Sequence, residues 1–347
     1  MTFFVISLEP YEQRYTSEWV TELPKSIAKF LKAIGSTEQI RVVEGHHAKQ
    51  PPTRGAFLNF AETNIFKAAQ IGQIADLFTQ GTIVPGDKII FADAWHPGVI
   101  NTRYMSDLLG NSVRLIGLWH AGSYDQHDYL GRIPDTTWAR HFERSLFHAL
   151  DVNCFATQFH IDLFKSVLGV DDDSRILLTG WPMDYLETKL APYRNLPKRN
   201  LVLFPHRIAP EKQVEIFRDL AGSFPDYEFR VCQDTPLTKA EYHQLLGKAK
   251  MVFSASLQET LGIGLYEGLL CGATPFAPDR LSYKEMYPAE CLYPSAWTES
   301  WDNYIRYKPE LVQAMEQALS TPPVVPAVDL GSNFFSADVL MKALVDG

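Results

Sequence analysis

The 347-residue chain is poor in cysteine: Cys154, Cys232, Cys271 and Cys291 are too few and too widely spaced for a disulfide scaffold. No CxxC occurs and no His pair lies near them at zinc-ligand spacing, so a structural zinc site is excluded and four buried free thiols are expected. No run approaches the ~18 apolar residues of a membrane span. The opening MTFFVISLEPYEQ lacks a basic region and turns acidic within a few residues, which reads as a first strand and not a signal peptide. Together these features place the protein in a reducing cytoplasm without a membrane anchor. Positive charge is also short, since 32 Lys and Arg face 41 Asp and Glu for a net charge of −9. That excludes polybasic, histone-like nucleic-acid binding but leaves a local basic groove open.

What is present is core-forming material, with 46% hydrophobic and 12% aromatic residues. At roughly 150 residues per domain the length predicts two domains. Short apolar runs alternate with amphipathic stretches, the pattern of βα units on parallel sheets. Strands are expected at Phe3–Leu8, Gln39–Val43, Lys88–Ala92, Val113–Leu118, Val152–Ala156 and Ile176–Leu178, with helices at Ile65–Gln80, Trp138–Ala149 and Ile161–Leu168. The polar, Pro-punctuated stretch from about Leu186 to Asn200 reads as an exposed connection. A second alternation follows. Strands are expected at Leu201–Phe204, Tyr227–Cys232, Met251–Ala255, Thr274–Ala277 and Cys291–Tyr293, with helices at Pro210–Gly222, Lys239–Lys248, Gly264–Leu270, Glu310–Leu319 and Ser336–Val345. The expected division is 1–190, 198–328 and a C-terminal helical piece, 329–347, packing back on the first domain. Two doubly wound α/β domains would bind ligands just after their strands.

Two stretches carry chemistry. After the strand at Met251 the chain reads SLQETLGIGLYEGLLCGATP, a strand, a Gly-containing loop and a helix start. Such a terminus offers unpaired N–H groups to phosphate or sugar oxygens, and Gly262 and Gly264 let the backbone come close. Glu259 and Glu267 flank it, and Glu267 can accept bonds from a pair of vicinal hydroxyls; a helix start with an ordinary acidic turn is the alternative. In LVLFPHRIAPEKQ, Arg207 and Lys212 follow a strand where two cations can reach a diphosphate.

From about Leu201 to Ser295 these features resemble the retaining, two-Rossmann-domain (GT-B fold) glycosyltransferases of family 4, with their Arg and Lys after a strand and a Glu-x7-Glu signature. The resemblance implies a GT-B architecture of two domains facing a central cleft and a nucleotide-sugar co-substrate, a uridine nucleotide being the commonest in the family. It implies that Arg207 and Lys212 hold the donor diphosphate, Glu267 the ribose hydroxyls, and Glu259 with the backbone N–H groups of Gly262, Ile263, Gly264 and Leu265 the transferred sugar. It also implies that neither a metal nor another cofactor is required; the triplet Asp171–Asp173 reads as a solvated turn. The stretches PHR…PEK, LTKAEYHQLLGKAKMVFSASLQETLGIGLYEG and CGATPFAPDRLSYKEMYPAECLYPS look like the tRNA-queuosine mannosyltransferase group and phage-encoded enzymes that glycosylate hydroxymethylated DNA bases. Within them the phrase Asp279–Tyr283 points toward modified nucleobases in DNA or tRNA as acceptors.

The N-terminal half is less specific. His120 follows a strand and either faces the reacting centre or is structural. Asp93, Trp95 and His96 leave another strand and are either acceptor contacts or a helix cap with a packed Trp. The first loop, Glu9 to Thr16, is bulkier than the Gly-rich turn of many relatives; its Arg14 either meets an acceptor phosphate or lies on a plain surface. A flipped base would need an aromatic wall, with Trp95, Tyr104 and Tyr124 as stacking partners. Transfer to a glycan, lipid or small molecule, an epimerase or hydrolase on the same fold, and a non-catalytic nucleotide-sugar sensor remain alternatives. Oligomeric state stays open.

Overall fold

The computed structural model describes residues 1–11, 14–46, 50, 52–53, 56 and 58–345; Glu12 and Gln13 of the first loop lie outside the described residues. The chain divides into two compact units, Met1–Met183 with Ser336–Gly347, and Asp184–Phe335.

In the first unit, strands β1 (Thr2–Ile6), β2 (Gln39–Val43), β3 (Lys88–Phe91), β4 (Arg114–Leu118), β5 (Val152–Phe155) and β6 (Ile176–Leu178) form one parallel sheet in the order β2-β1-β3-β4-β5-β6. Helices α1 (Tyr15–Ala33), α2 (Glu62–Thr79), α3 (Gly98–Leu108), α4 (Thr137–Ala149) and α5 (Gln158–Leu168) connect them. β3 and β5 are buried along their whole length, which is why they read as unbroken apolar runs rather than alternating ones. The order reverses between β1 and β3: the chain leaves β1 to one side for β2 and returns on the other.

The second unit begins with α6 (Tyr185–Leu190). Strands β7 (Leu201–Phe204), β8 (Glu228–Val231), β9 (Met251–Phe253), β10 (Thr274–Pro278) and β11 (Leu292–Tyr293) form a parallel sheet in the order β11-β10-β9-β7-β8, reversing between β7 and β9. Its helices are α7 (Val214–Leu220), α8 (Lys239–Lys248), α9 (Ile263–Leu270), α10 (Tyr283–Met286), α11 (Trp301–Ser320) and α12 (Ala327–Leu330), while α13 (Asp338–Val345) belongs to the first unit.

Several expectations change. The exposed connection at 186–200 is instead part of the second unit: Leu186 and Leu190 lie one turn apart and are buried, Arg194 Nε donates to Leu270 O at 3.1 Å, and Lys198 Nζ donates to Cys271 O at 2.7 Å. The C-terminal piece divides at 335/336. Phe335 stacks on Tyr266 with ring centroids 3.7 Å apart in the second unit, whereas α13 is tied to the first by Lys88 Nζ donating to Leu344 O. The helix expected over Pro210–Gly222 is broken by Gln213, held at φ 52° by its side-chain amide, which donates to Ala255 O and Thr298 O, both at 2.6 Å. α11 starts nine residues before Glu310, capped by Ser300 accepting from Asn303 N–H, and runs through Pro309. All four cysteines are buried and unbridged.

Candidate functional site

In the second unit the expected residues converge at the β7/β9 reversal. The turn Pro210–Lys212, fixed by the Gln213 break, carries Lys212 inward until it is 5% exposed. Its ammonium donates to Gln258 O and lies 3.1 Å from Glu259 Oε2. Burial by itself would raise the Glu259 pKa, but the Lys212 ammonium and the Gly262 N–H outweigh it and hold the carboxyl below its ordinary value. Arg207 is paired with the buried Glu211. Both cations therefore already meet carboxylates within the fold.

α9 opens at Gly262, whose φ of +77° is a left-handed conformation; an added Cβ would also lie 2.7 Å from the Tyr283 ring. At Gly264 a Cβ would come within 3.1 Å of the Pro205 ring, so the glycine permits close packing of α9 on the β7 loop. Ile263 and Gly264 are the first two helical residues, where N–H groups precede the intrahelical ladder. The Leu265 N–H instead donates to Gly262 O at 3.1 Å and its side chain is fully buried, so the expectation that it contributes a ligand donor is corrected. Glu267 accepts from Tyr242 Oη at 2.8 Å.

Sequence reasoning overlooked His206, directly after β7. Its Nδ1 is 3.8 Å from Glu259 Oε2, and burial, with Lys212 and Arg207 nearby, pushes its pKa down to about 3, so the ring is neutral. The only cue was its place between a strand and an Arg. The phrase Asp279–Tyr283 is explained by packing. Arg280 donates to Ser256 O at 2.8 Å, Ala255 O at 2.8 Å, Ser295 O at 3.0 Å and Thr298 O at 3.2 Å, clamping the loop after β9 to the turn at 295–298.

In the first unit a cavity of about 380 Å³ lies at the β1/β3 reversal. Among the described residues its lining includes Glu9, Lys67, Asp93, Trp95, His96, His120 and Trp138. Lys67, 8% exposed, lies 3.1 Å from Asp93 Oδ2 and donates to Trp95 O at 2.5 Å. Asp93 Oδ1 accepts from Trp95 N–H at 3.0 Å, and Trp95 Nε1 donates to Glu143 at 3.0 Å; α3 starts only at Gly98, whose N–H meets His96, so Asp93 does not cap the helix but shapes the loop after β3 and pairs with Lys67.

Both histidines are fully engaged. Gly98 N–H donates to His96 Nδ1 at 2.8 Å, leaving Nε2–H for Gln70 Oε1 at 3.0 Å; Gln70 in turn donates to Ser7 O and Val43 O, bracing β1 and β2. His120 donates from Nε2 to Ala92 O at 2.7 Å and accepts from Tyr15 Oη at 2.8 Å, its ring 4.5 Å from that of Trp181. Burial lowers both pKa values, and both rings are neutral.

Three expected acceptor contacts lie elsewhere. Tyr124 is in the core, its hydroxyl 2.6 Å from His160 Nε2 and its ring against Trp119 and Phe164. Tyr104 is 65% exposed on α3 and does not line the cavity. Arg14 precedes α1 and donates to Ala56 O at 3.2 Å, also outside the lining. In the triplet Asp171–Asp173, Asp172 accepts from Ser174 N–H at 3.1 Å and Asp173 meets Lys165 at 2.5 Å.

A scan against models of known protein families finds no match. Over 72 residues the chain is 36% identical to the tRNA-queuosine alpha-mannosyltransferase of Drosophila melanogaster; that match covers 20% of this chain and about a fifth (19%) of the relative. Among solved structures, the sucrose-phosphate synthase of Thermosynechococcus elongatus is similar with a TM-score of 0.63 at 11% identity, over 99% of this chain and 97% of that one. Anabaena HepE in complex with UDP-glucose is similar with a TM-score of 0.53 at 11% identity, over 99% and 98%. These structural neighbours are glycosyltransferases, and the likeness over nearly the full length shows that this chain has the GT-B fold.

Proposed function

We propose that this chain is a glycosyltransferase that moves a sugar from a UDP-sugar, with retention, to a hydroxyl of a modified nucleobase. The observation carrying this reading is the pairing of Lys212 with Glu259 beside the Gly262 turn that opens α9, at the strand-order reversal of the second sheet. Glu267 takes the ribose hydroxyls, and the N–H groups of Ile263 and Gly264 with Glu259 take the phosphate and transferred sugar. As the C1–O bond breaks, its electron pair leaves on the β-phosphate oxygen. Lys212 and Arg207, positioned by Glu259 and Glu211, stabilise that charge once they turn part of their N–H groups to the phosphate. The acceptor oxygen bonds to C1 and its proton passes to the departing phosphate. On the acceptor side His120 is a positioning residue, holding the Tyr15 hydroxyl at the cavity edge. A nucleobase acceptor is supported by the partial likeness to a tRNA-queuosine alpha-mannosyltransferase and by the aromatic lining of the first unit's cavity.

Calorimetry with UDP and kinetics with the UDP-sugar test the donor site. Glu267→Ala should weaken UDP binding by about tenfold through loss of charge-assisted hydrogen bonds. Arg207→Ala should leave UDP affinity nearly intact and lower turnover by about 10²–10³-fold. Wild-type protein that binds no UDP would remove the reading.

A further inference from the structure

Helix α3 of the first unit turns an apolar stripe to solvent. Val99, Thr102 and Ser106 are buried on its inner side, while Ile100, Tyr104 and Leu108 recur every fourth residue on the opposite side at 36%, 65% and 68% exposure. Leu109, directly after the helix, is more than half exposed as well. α2 lies alongside: a Cβ added to Gly98 would lie 3.1 Å from Ile71 Cγ1, and beyond the two helix ends Asn111 Nδ2 donates to Ile83 O at 2.6 Å. On α2 the outward positions Ile65, Ala68 and Gly72 are also exposed and uncharged. Charge on this face is paired or peripheral. Arg103 lies 3.7 Å from Asp107 and 2.7 Å from Asp151, Lys67 is buried, and Glu62 and Asp76 stand toward the ends of α2.

Gly72 adds an independent observation. It sits in the interior of α2, where glycine is less favourable than alanine. A Cβ added there would meet nothing within 4 Å, so packing within this chain gives no reason for it, whereas a helix approaching closely from outside would. From their exposures, the outward residues of the two helices present roughly 600 Å², the top of the range for the largest apolar patch on an ordinary monomer. Set against its own copy, such a patch buries about 1,200 Å², which is what the smaller stable interfaces need. We propose that the α2–α3 face binds a second copy of this chain across a two-fold axis near Tyr104, midway along the stripe. A two-fold contact lays the apolar stripe on the same stripe, so the surface is its own complement. A nucleic acid would need unpaired cations and a membrane surface a basic flank, and the outward residues supply neither. With a net charge of −9 the chain repels its own copy, and it approaches most closely where charge is absent or paired. Tyr104 supplies the large ring with a polar tip that anchors interfaces of this kind. The inference stands apart from the transferase reading and does not depend on it.

Sedimentation velocity of the full chain between about 1 and 100 µM tests it. Wild type should pass from 39.3 kDa to twice that mass, with a Kd of about 10 µM or tighter. Tyr104→Glu and Leu108→Glu change side chains that are mostly exposed, so the far-ultraviolet circular dichroism should stay that of wild type while the dimer weakens by about 30-fold or more. Gly72→Leu should weaken it by a similar factor by holding the helices apart, and Trp301→Glu, an exposed position of the second unit, should leave it unchanged. Hydrogen exchange gives a reading without any substitution: amides of 62–79 and 98–108 should exchange more slowly at the high concentration than at the low one. A chain that stays monomeric throughout the range overturns the proposal and leaves the face to a different protein. A dimer that survives both glutamate variants, or concentration-dependent protection confined to other segments, overturns it by placing the contact elsewhere.

Discussion

Replacing Lys212 by Met leaves the Glu259 carboxylate without its cation. Both side chains are well shielded, Lys212 6% and Glu259 20% accessible, and the pair lies at 3.1 Å. Breaking a buried pair from one side costs about 3–5 kcal/mol. Glu259 keeps the Gly262 N–H and a fifth of its surface, so about 2–3 kcal/mol is the appropriate figure here. The double variant Lys212→Met/Glu259→Gln removes the stranded charge and should recover about half of that loss. The sign of the pH dependence follows from the lowered Glu259 pKa. Wild type has this stabilisation above the unfolded value near 4.5 and loses it as pH falls through the lower folded value. In Lys212→Met burial dominates, so the carboxyl rises above 4.5 and stability is lost as pH rises. The two stability curves should therefore be widest apart at neutral pH and converge toward pH 4. Urea unfolding followed by a probe in the second unit, between pH 4 and 8, measures this. A constant gap across that range, or a double variant no more stable than the single one, would refute the electrostatic account.

Gly262→Ala should destabilise the second unit by about 2 kcal/mol or more, because a left-handed φ and the Tyr283 ring 2.7 Å away both oppose a Cβ; thermal unfolding reads it. Arg280→Met should cost about 3 kcal/mol through several carbonyls left without their charged donor, read by urea unfolding of the second unit. Tyr242→Phe should weaken UDP binding only several-fold and leave stability within about 1 kcal/mol, since it removes one hydrogen bond to Glu267.

Apolar runs were legible at β1, β3, β5, β7, β9 and β10 because inner parallel strands are buried on both faces, while the edge strands β2 and β8 are partly charged and exposed; among the described residues the expected strands are present with ends shifted by a residue or two. The helix expected from Glu310 began too late: α11 starts at Trp301, capped by Ser300, and runs through Pro309. The connection at 186–200 looked exposed because its polar residues outnumber the two leucines that dock it. Around the candidate donor site, Glu259 and Gly262 share one contiguous strand, loop and helix start, whereas Lys212 lies 47 residues before Glu259 and was set beside it through the resemblance to the glycosyltransferases. The cavity was harder. Lys67 reaches it from α2, 26 residues before Asp93, and its burial against Trp95 O has no sequence signature. Tyr124 shows the converse, an aromatic placed after a strand that turns into the core to meet His160.

Sugar transfer itself is the most direct test. Wild-type protein and Lys212→Met would be incubated with a panel of UDP-sugars and with hydroxymethylated DNA, queuosine-containing tRNA and small-molecule acceptors, and products weighed by mass spectrometry. A single-sugar mass increment on a nucleic acid, present with wild type and lost with Lys212→Met, is the expected result. An unchanged panel, or an increment undiminished in the variant, would contradict the assignment of the second unit's cluster as the donor site.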